Sequence, residues 1–122
     1  MKDNKDFELF QSEFRKWQKH FGLMGYEVRF EYKPLDGAAA SIDVNQEEMV
    51  AYVVVNSRLG KPERTVEEIK GNAKHEALHL LIGRLRKYAY CRHIMSDDIY
   101  EASEELVRRL DILIPNLPEG MA

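Results

Sequence analysis

"KHEALHLLIG", residues 74–83, is the stretch on which the fold turns, because it sets His75, Glu76 and His79 into an otherwise apolar run. At 100° per residue, Val66, Ile69, Ala73, Ala77, Leu78, Leu80, Leu81, Ile82 and Leu85 cover well over half of a helix's circumference. The remaining arc holds Asn72, His75, Glu76, His79 and Gly83. The pattern predicts a long helix that is buried nearly all round from 77 to 85 and carries one narrow polar stripe. Buried imidazoles need partners, since an unsatisfied polar group costs about 1–3 kcal/mol. A metal ion meets that need, and so would hydrogen bonds to neighbouring core groups.

Spacing favours the metal. His75 and His79 are four residues apart, one turn and about 6 Å along the axis, so both rings can reach one ion. Imidazole is a good zinc ligand, and a catalytic zinc keeps three protein ligands and one open position. Glu76 stands beside the pair as a general base. The five residues form H-E-x-x-H, whose mechanism is zinc ligation plus proton abstraction from water. One Zn²⁺ is the expected cofactor.

Outward from the motif, Thr65 and Glu68 suit a capping box that opens the helix, which runs to about Tyr88. Upstream lie three stretches with strand chemistry: residues 26–33 ("YEVRFEYK"), 38–45 ("AAASIDVN") and 49–56 ("MVAYVVVN"). The first alternates Tyr26, Val28, Phe30 and Tyr32 with charged residues, as a half-buried strand does. The third is apolar on both faces, which predicts cover on both sides. Short connections, among them the Pro34 to Gly37 turn, predict antiparallel neighbours. Further upstream, Phe7, Phe10, Phe14, Trp17 and Phe21 recur at helical steps and predict an amphipathic helix with an aromatic core face. Downstream, a last helix is expected to start near Asp97 or Asp98 and to end at Pro115. The expectation is one α+β domain over residues 1–122: an N-terminal helix, a three-stranded largely antiparallel sheet, the long motif helix and a C-terminal ligand helix.

A third zinc ligand has to come from outside the motif. The last helix offers Glu101, Glu104 and Glu105. Its apolar positions centre on Leu106, Val107, Leu110 and Leu113, so Glu104 borders the buried face and Glu105 is expected in water. Glu104 is the favoured donor, with Glu101 and the loop residue His93 as alternatives. Cys91 could ligate, although a single cysteine reads more simply as a small buried side chain.

Composition narrows the function classes. Net charge is −3 and the pI about 5.8, so no global basic field invites nucleic acid. The longest apolar runs fall far short of a membrane span. The charged start "MKDNKDFELF" has no apolar h-region, and Cys91 is the only cysteine, which together suggest a cytoplasmic protein without an internal disulfide.

With these residues assembled, the chain resembles the gluzincin metallopeptidases, which join H-E-x-x-H to a glutamate from a following helix. It is most similar to their smallest forms, phage and prophage metallopeptidase-like proteins and the ImmA/IrrE-type proteases. The segment "EELVRRLDILIP" carries the similarity in the last helix, and its first residue is Glu104. The ImmA-type ending has alanines after the glutamate where this chain has Glu105 and Leu106. The resemblance implies a peptide or protein substrate laid along an exposed strand edge, Tyr100 as a candidate donor to the oxyanion, and room at Gly83 for the crossing ligand helix. The neighbouring SprT-like proteases, which use a third histidine and act near DNA, would promote His93 instead. Outside catalysis, the same fold could serve as a silent zinc-binding scaffold or as an interaction module.

Overall fold

The computed structural model describes residues 4–116. Helix α1 spans Lys5–His20, followed by strands β1 (Glu27–Lys33), β2 (Ala40–Asn45) and β3 (Val50–Asn56), a short 3₁₀ turn (Lys61–Glu63), and helices α2 (Val66–Tyr90) and α3 (Ser96–Leu113). The architecture is α+β, with the helices packed on one face of a three-stranded sheet. Among the described residues no helix is long and apolar enough to cross a membrane.

The aromatic stripe of α1 builds much of the core. Phe10 and Phe14 are completely buried, and both meet Phe30 of β1 edge-on, Phe14 at 5.4 Å between ring centroids. Phe7 stacks on Tyr32 at 5.0 Å. The helix ends in a left-handed turn at Gly22, φ 73°, where Leu23 N–H reaches Gln18 O and Gly22 N–H reaches Lys19 O. That is the bonding of a Schellman cap, which needs a residue at positive φ and so favours glycine. Two further pieces brace the corner. Buried Gln18 donates from Nε2 to Leu23 O and Tyr26 O, at 2.9 and 3.0 Å. Arg109 of α3 donates from Nη1 to Phe21 O and Gly22 O, at 3.0 and 2.9 Å.

The sheet differs from expectation. Its order is β1-β3-β2, with β2 antiparallel to β3 but β1 parallel to it. The expected antiparallel hairpin is therefore present only between β2 and β3. The long crossover that a parallel pair requires is supplied by residues 34–49, which include β2 itself. Asn56, at the end of β3, organises the crossing. Its Nδ2 donates to Leu35 O and Ala38 O, and its Oδ1 accepts from the Leu35 and Arg58 amides. The three bonds to Leu35 and Ala38 pin the loop over the end of β3, from which β2 runs on the far side.

Register places Val28, Phe30 and Tyr32, Ala51, Val53 and Val55, and Ala40, Ile42 and Val44 on the helix face. The opposite face has no helical cover, and Tyr52 at its centre is 41% exposed. β3 is thus covered on one side, not two. Its apolar character suits a central strand, whose neighbours shield it in the plane of the sheet.

Candidate metal centre

Thr65 opens α2 by accepting the Glu68 N–H on its hydroxyl at 3.2 Å, with Glu67 and Glu68 in the first turn where the helix dipole favours acids. The buried stripe of α2 is Ile69, Ala73, Glu76, Ala77, Leu80 and Leu81. Leu78 and Ile82 are instead more than a third exposed. The helix is therefore buried along one face from Ile69 to Leu81, without the all-round burial expected at 77–85.

His75 and His79 come together on the flank of this helix. Their Nε2 atoms are 3.2 Å apart, with the rings edge-to-face at 4.8 Å between centroids. Two imidazole nitrogens bound tetrahedrally to one zinc, each at about 2.0–2.1 Å, lie about 3.3–3.4 Å apart. The pair thus has nearly the bite of two zinc ligands before any rearrangement. Burial lowers the basicity of His79, and the charges of His75 and Arg86 lower it further. The neutral imidazole so favoured is the form that ligates metal.

Glu76, only 6% exposed, sits between the two histidines in sequence and belongs to the buried stripe of α2. Burial holds its carboxyl above the ordinary carboxylate value, with His75 pulling the other way. A carboxylate made more basic by desolvation is what a general base near neutrality requires.

A cleft of about 190 Å³ opens beside His79, between α2 and β2, with Ile42, Val44, Gln46, Gly83 and Tyr90 among its walls. The free edge of β2 therefore lies across the cleft from His79. Gln46 is a member that sequence reasoning missed. Its Oε1 accepts from Tyr26 Oη at 2.6 Å, while its buried Nε2 has no hydrogen-bond partner. A Cβ on Gly83 would lie 2.7 Å from that nitrogen. Gly83 makes room for Gln46 where the crossing ligand helix was expected. The glycine one turn beyond His79 signals a close approach, but nothing local in the sequence points to Gln46 as the group that approaches.

The other expected residues are placed as follows. Glu104 is half-buried on α3. The spine that α3 turns inward is Ala102, Leu106, Leu110 and Leu113, whereas Val107, whose position had set Glu104 at the border of the buried face, is 57% exposed. Glu105 is not in free water: its carboxylate pairs with Arg84 of α2 and, at 3.5 Å, with Arg109. Glu101 and His93 are exposed, as is Cys91, which is therefore not a buried side chain. Tyr100 is 65% exposed. Asp98 caps α3 by accepting the Met95 N–H at 3.0 Å. Among the described residues no three of His, Cys, Asp and Glu are gathered at metal-binding distance, so the structure brings together His75 and His79 and leaves the third donor apart.

No protein-family model matches the chain, and no curated protein matches it.

Proposed function

We propose that the chain is a small zinc-dependent peptidase of gluzincin type, acting in the cytoplasm on peptide or protein substrates. The observation that carries this reading is the 3.2 Å Nε2 separation of His75 and His79, with buried Glu76 in the same helical turn. A hydrogen-bonded histidine pair explains the distance alone. It does not explain a buried carboxyl of raised basicity on the residue after His75, nor the open cleft between His79 and a free strand edge.

In this reading His75 and His79 would hold the ion, and Glu104 of α3, which stands apart from the pair, would have to close on it to supply the third ligand. Zinc, when bound, contributes Lewis acidity toward water and a peptide carbonyl. Glu76 takes the proton of the attacking water and returns it to the departing amine. The β2 edge offers unpaired backbone groups along which an extended peptide lies as an added strand, and the cleft accepts its side chains.

The test compares wild type with Glu76→Gln for bound zinc and for cleavage of an unstructured peptide mixture followed by mass spectrometry. Retained zinc with lost cleavage supports the reading. Equal cleavage by both forms removes Glu76 from the mechanism, and zinc binding without cleavage in either form leaves a scaffold. An anomalous-scattering map at the zinc edge identifies the third donor among Glu104, Glu101 and His93.

A further inference from the structure

The sheet has two edges, and their chemistry differs. β2 borders the cleft. β1 forms the other edge and, among the described residues, pairs with β3 alone. Its sequence is Glu27-Val28-Arg29-Phe30-Glu31-Tyr32-Lys33.

Hydrogen bonds at the two ends of β1 show which residues face outward. Glu27 N–H donates to Met49 O at 2.8 Å, and Lys33 O accepts from Ser57 N–H at 3.1 Å. In the parallel register Glu27↔Val50, the odd-numbered residues therefore turn their N–H and C=O groups toward β3. Val28, Phe30 and Tyr32 turn theirs toward the open edge.

Side chains follow the same alternation in another direction. Glu27, Arg29, Glu31 and Lys33 stand on the helix-free face, each at least half exposed. Along the strand their charges run minus, plus, minus, plus. A second copy running antiparallel and centred on Phe30 would set Glu27 against Lys33 and Arg29 against Glu31, at both ends. Every acid then faces a base, and such cross-strand pairs attract where like charges repel. Val28 faces Tyr32, and Phe30 faces its own copy.

The same centre satisfies the backbone. In an antiparallel pair, alternate residues exchange both hydrogen bonds, and the residues between them bring their side chains closest. Centred on Phe30, the exchanging pairs are Phe30 with itself and Val28 with Tyr32, the residues whose polar groups already face outward. The charged pairs fall at the close positions. Backbone direction, charge order and twofold symmetry thus agree on one register.

We propose that β1 is a dimerisation edge, through which two copies of this chain join by antiparallel pairing about Phe30 into one continuous six-stranded sheet. Charged edges ordinarily discourage strand addition. This one discourages foreign strands while matching its own reverse. β2 offers no such match, since Asp43 is its only charge. In the dimer both β2 edges lie outermost, so the pairing neither needs nor blocks the proposed peptidase site, and it stands without the metal.

Sedimentation equilibrium of the full chain tests this. Near 100 µM, a concentration that populates even a weak complex, the expected mass is about twice the 14.3 kDa of one chain, falling toward one chain on dilution. Hydrogen exchange at the Val28, Phe30 and Tyr32 amides slows as concentration rises. Arg29→Glu sets an acid against Glu31 of the other copy, twice per dimer, and raises the dissociation constant about tenfold or more. Glu31→Lys does the same from the other side, which guards against a folding defect peculiar to one variant. Arg29→Glu combined with Glu31→Arg restores the opposite pairs and returns the constant to within about threefold of wild type. A monomer at the highest concentration overturns the proposal. So does a dimer indifferent to both single substitutions, unrestored by the double one, or protected elsewhere than on β1.

Discussion

Zinc titration of the metal-free protein, followed by its melting temperature, probes the histidine pair before any substrate is known. The Nε2 atoms stand 3.2 Å apart, so closing on an ion asks for a shift of only about 0.1–0.2 Å in their spacing. A ligand that binds only the folded state stabilises it by RT ln(1 + [L]/Kd), about 2.7 kcal/mol at a hundredfold excess over Kd. Unfolding entropy near 60 °C is about 2.1 cal/mol/K per residue, or about 0.26 kcal/mol/K for a chain of 122 residues. The expected rise in melting temperature is therefore about 10 °C at that zinc concentration. The His75→Ala/His79→Ala double variant should show no such rise, and each single variant only a small part of it. The effect should fade as pH falls, because a protonated imidazole cannot ligate, and burial places the His79 transition below the ordinary imidazole value. Scanning calorimetry at matched zinc concentrations measures all of this. A wild type that zinc leaves unmoved, or a double variant that keeps the full rise, would refute the assignment of the pair as ligands.

Three other outcomes follow from particular contacts. Burial raises the Glu76 carboxyl, so the folded state holds that proton more tightly than the unfolded chain. Metal-free stability then falls as pH climbs from the ordinary value of 4.5 through the folded-state value. Glu76→Gln should remove that decline and be the more stable form at pH 7 and equal in its pH trend below the ordinary value; denaturant melts that show a pH-independent difference contradict it. Asn56→Ala strips three hydrogen bonds from the crossover loop and a fourth from Arg58, and should cost about 2–4 kcal/mol in urea unfolding, with faster exchange at the Leu35 amide. Gly83→Ala gains helix propensity of about 1 kcal/mol but drives a Cβ toward Gln46. It should come out near neutral alone and stabilise by about that amount in a Gln46→Ala background, and a double-mutant cycle without coupling denies the contact.

Local patterns in the sequence carried much of this fold. Three-and-four spacing located α1, α2 and α3, Thr65 marked the start of α2, and the alternation of Val28, Phe30 and Tyr32 marked β1. Motif spacing located the histidine pair as well, because one helical turn alone sets the distance between residues four apart. What escaped was tertiary. The strand pattern of β1 is the same whichever neighbour it has, and the crossover that makes β3 its parallel partner is held by three hydrogen bonds from one asparagine in another strand. On α3, apolar residues occupy more than one face, so periodicity leaves its orientation open. Arg84 of α2 settles it by pairing with Glu105, and Arg109 by reaching Phe21 O and Gly22 O, which leaves Val107 outward. The placement of Glu104 rested on that orientation. Leu78 and Ile82 mislead in a similar way, since a leucine on a helix does not announce whether anything packs over it.

The guanidinium of Arg109 has a consequence in time. Its bonds to Phe21 O and Gly22 O link residues 88 and 87 positions apart, across most of the chain. Loop closure over such a length adds an entropic barrier, and contacts of high sequence separation form late. During synthesis, α1 and the strands leave the ribosome well before α3 exists to seal the corner. The first turn of the chain is therefore completed last, and a nascent chain stalled short of residue 109 should present that corner to chaperones or proteases.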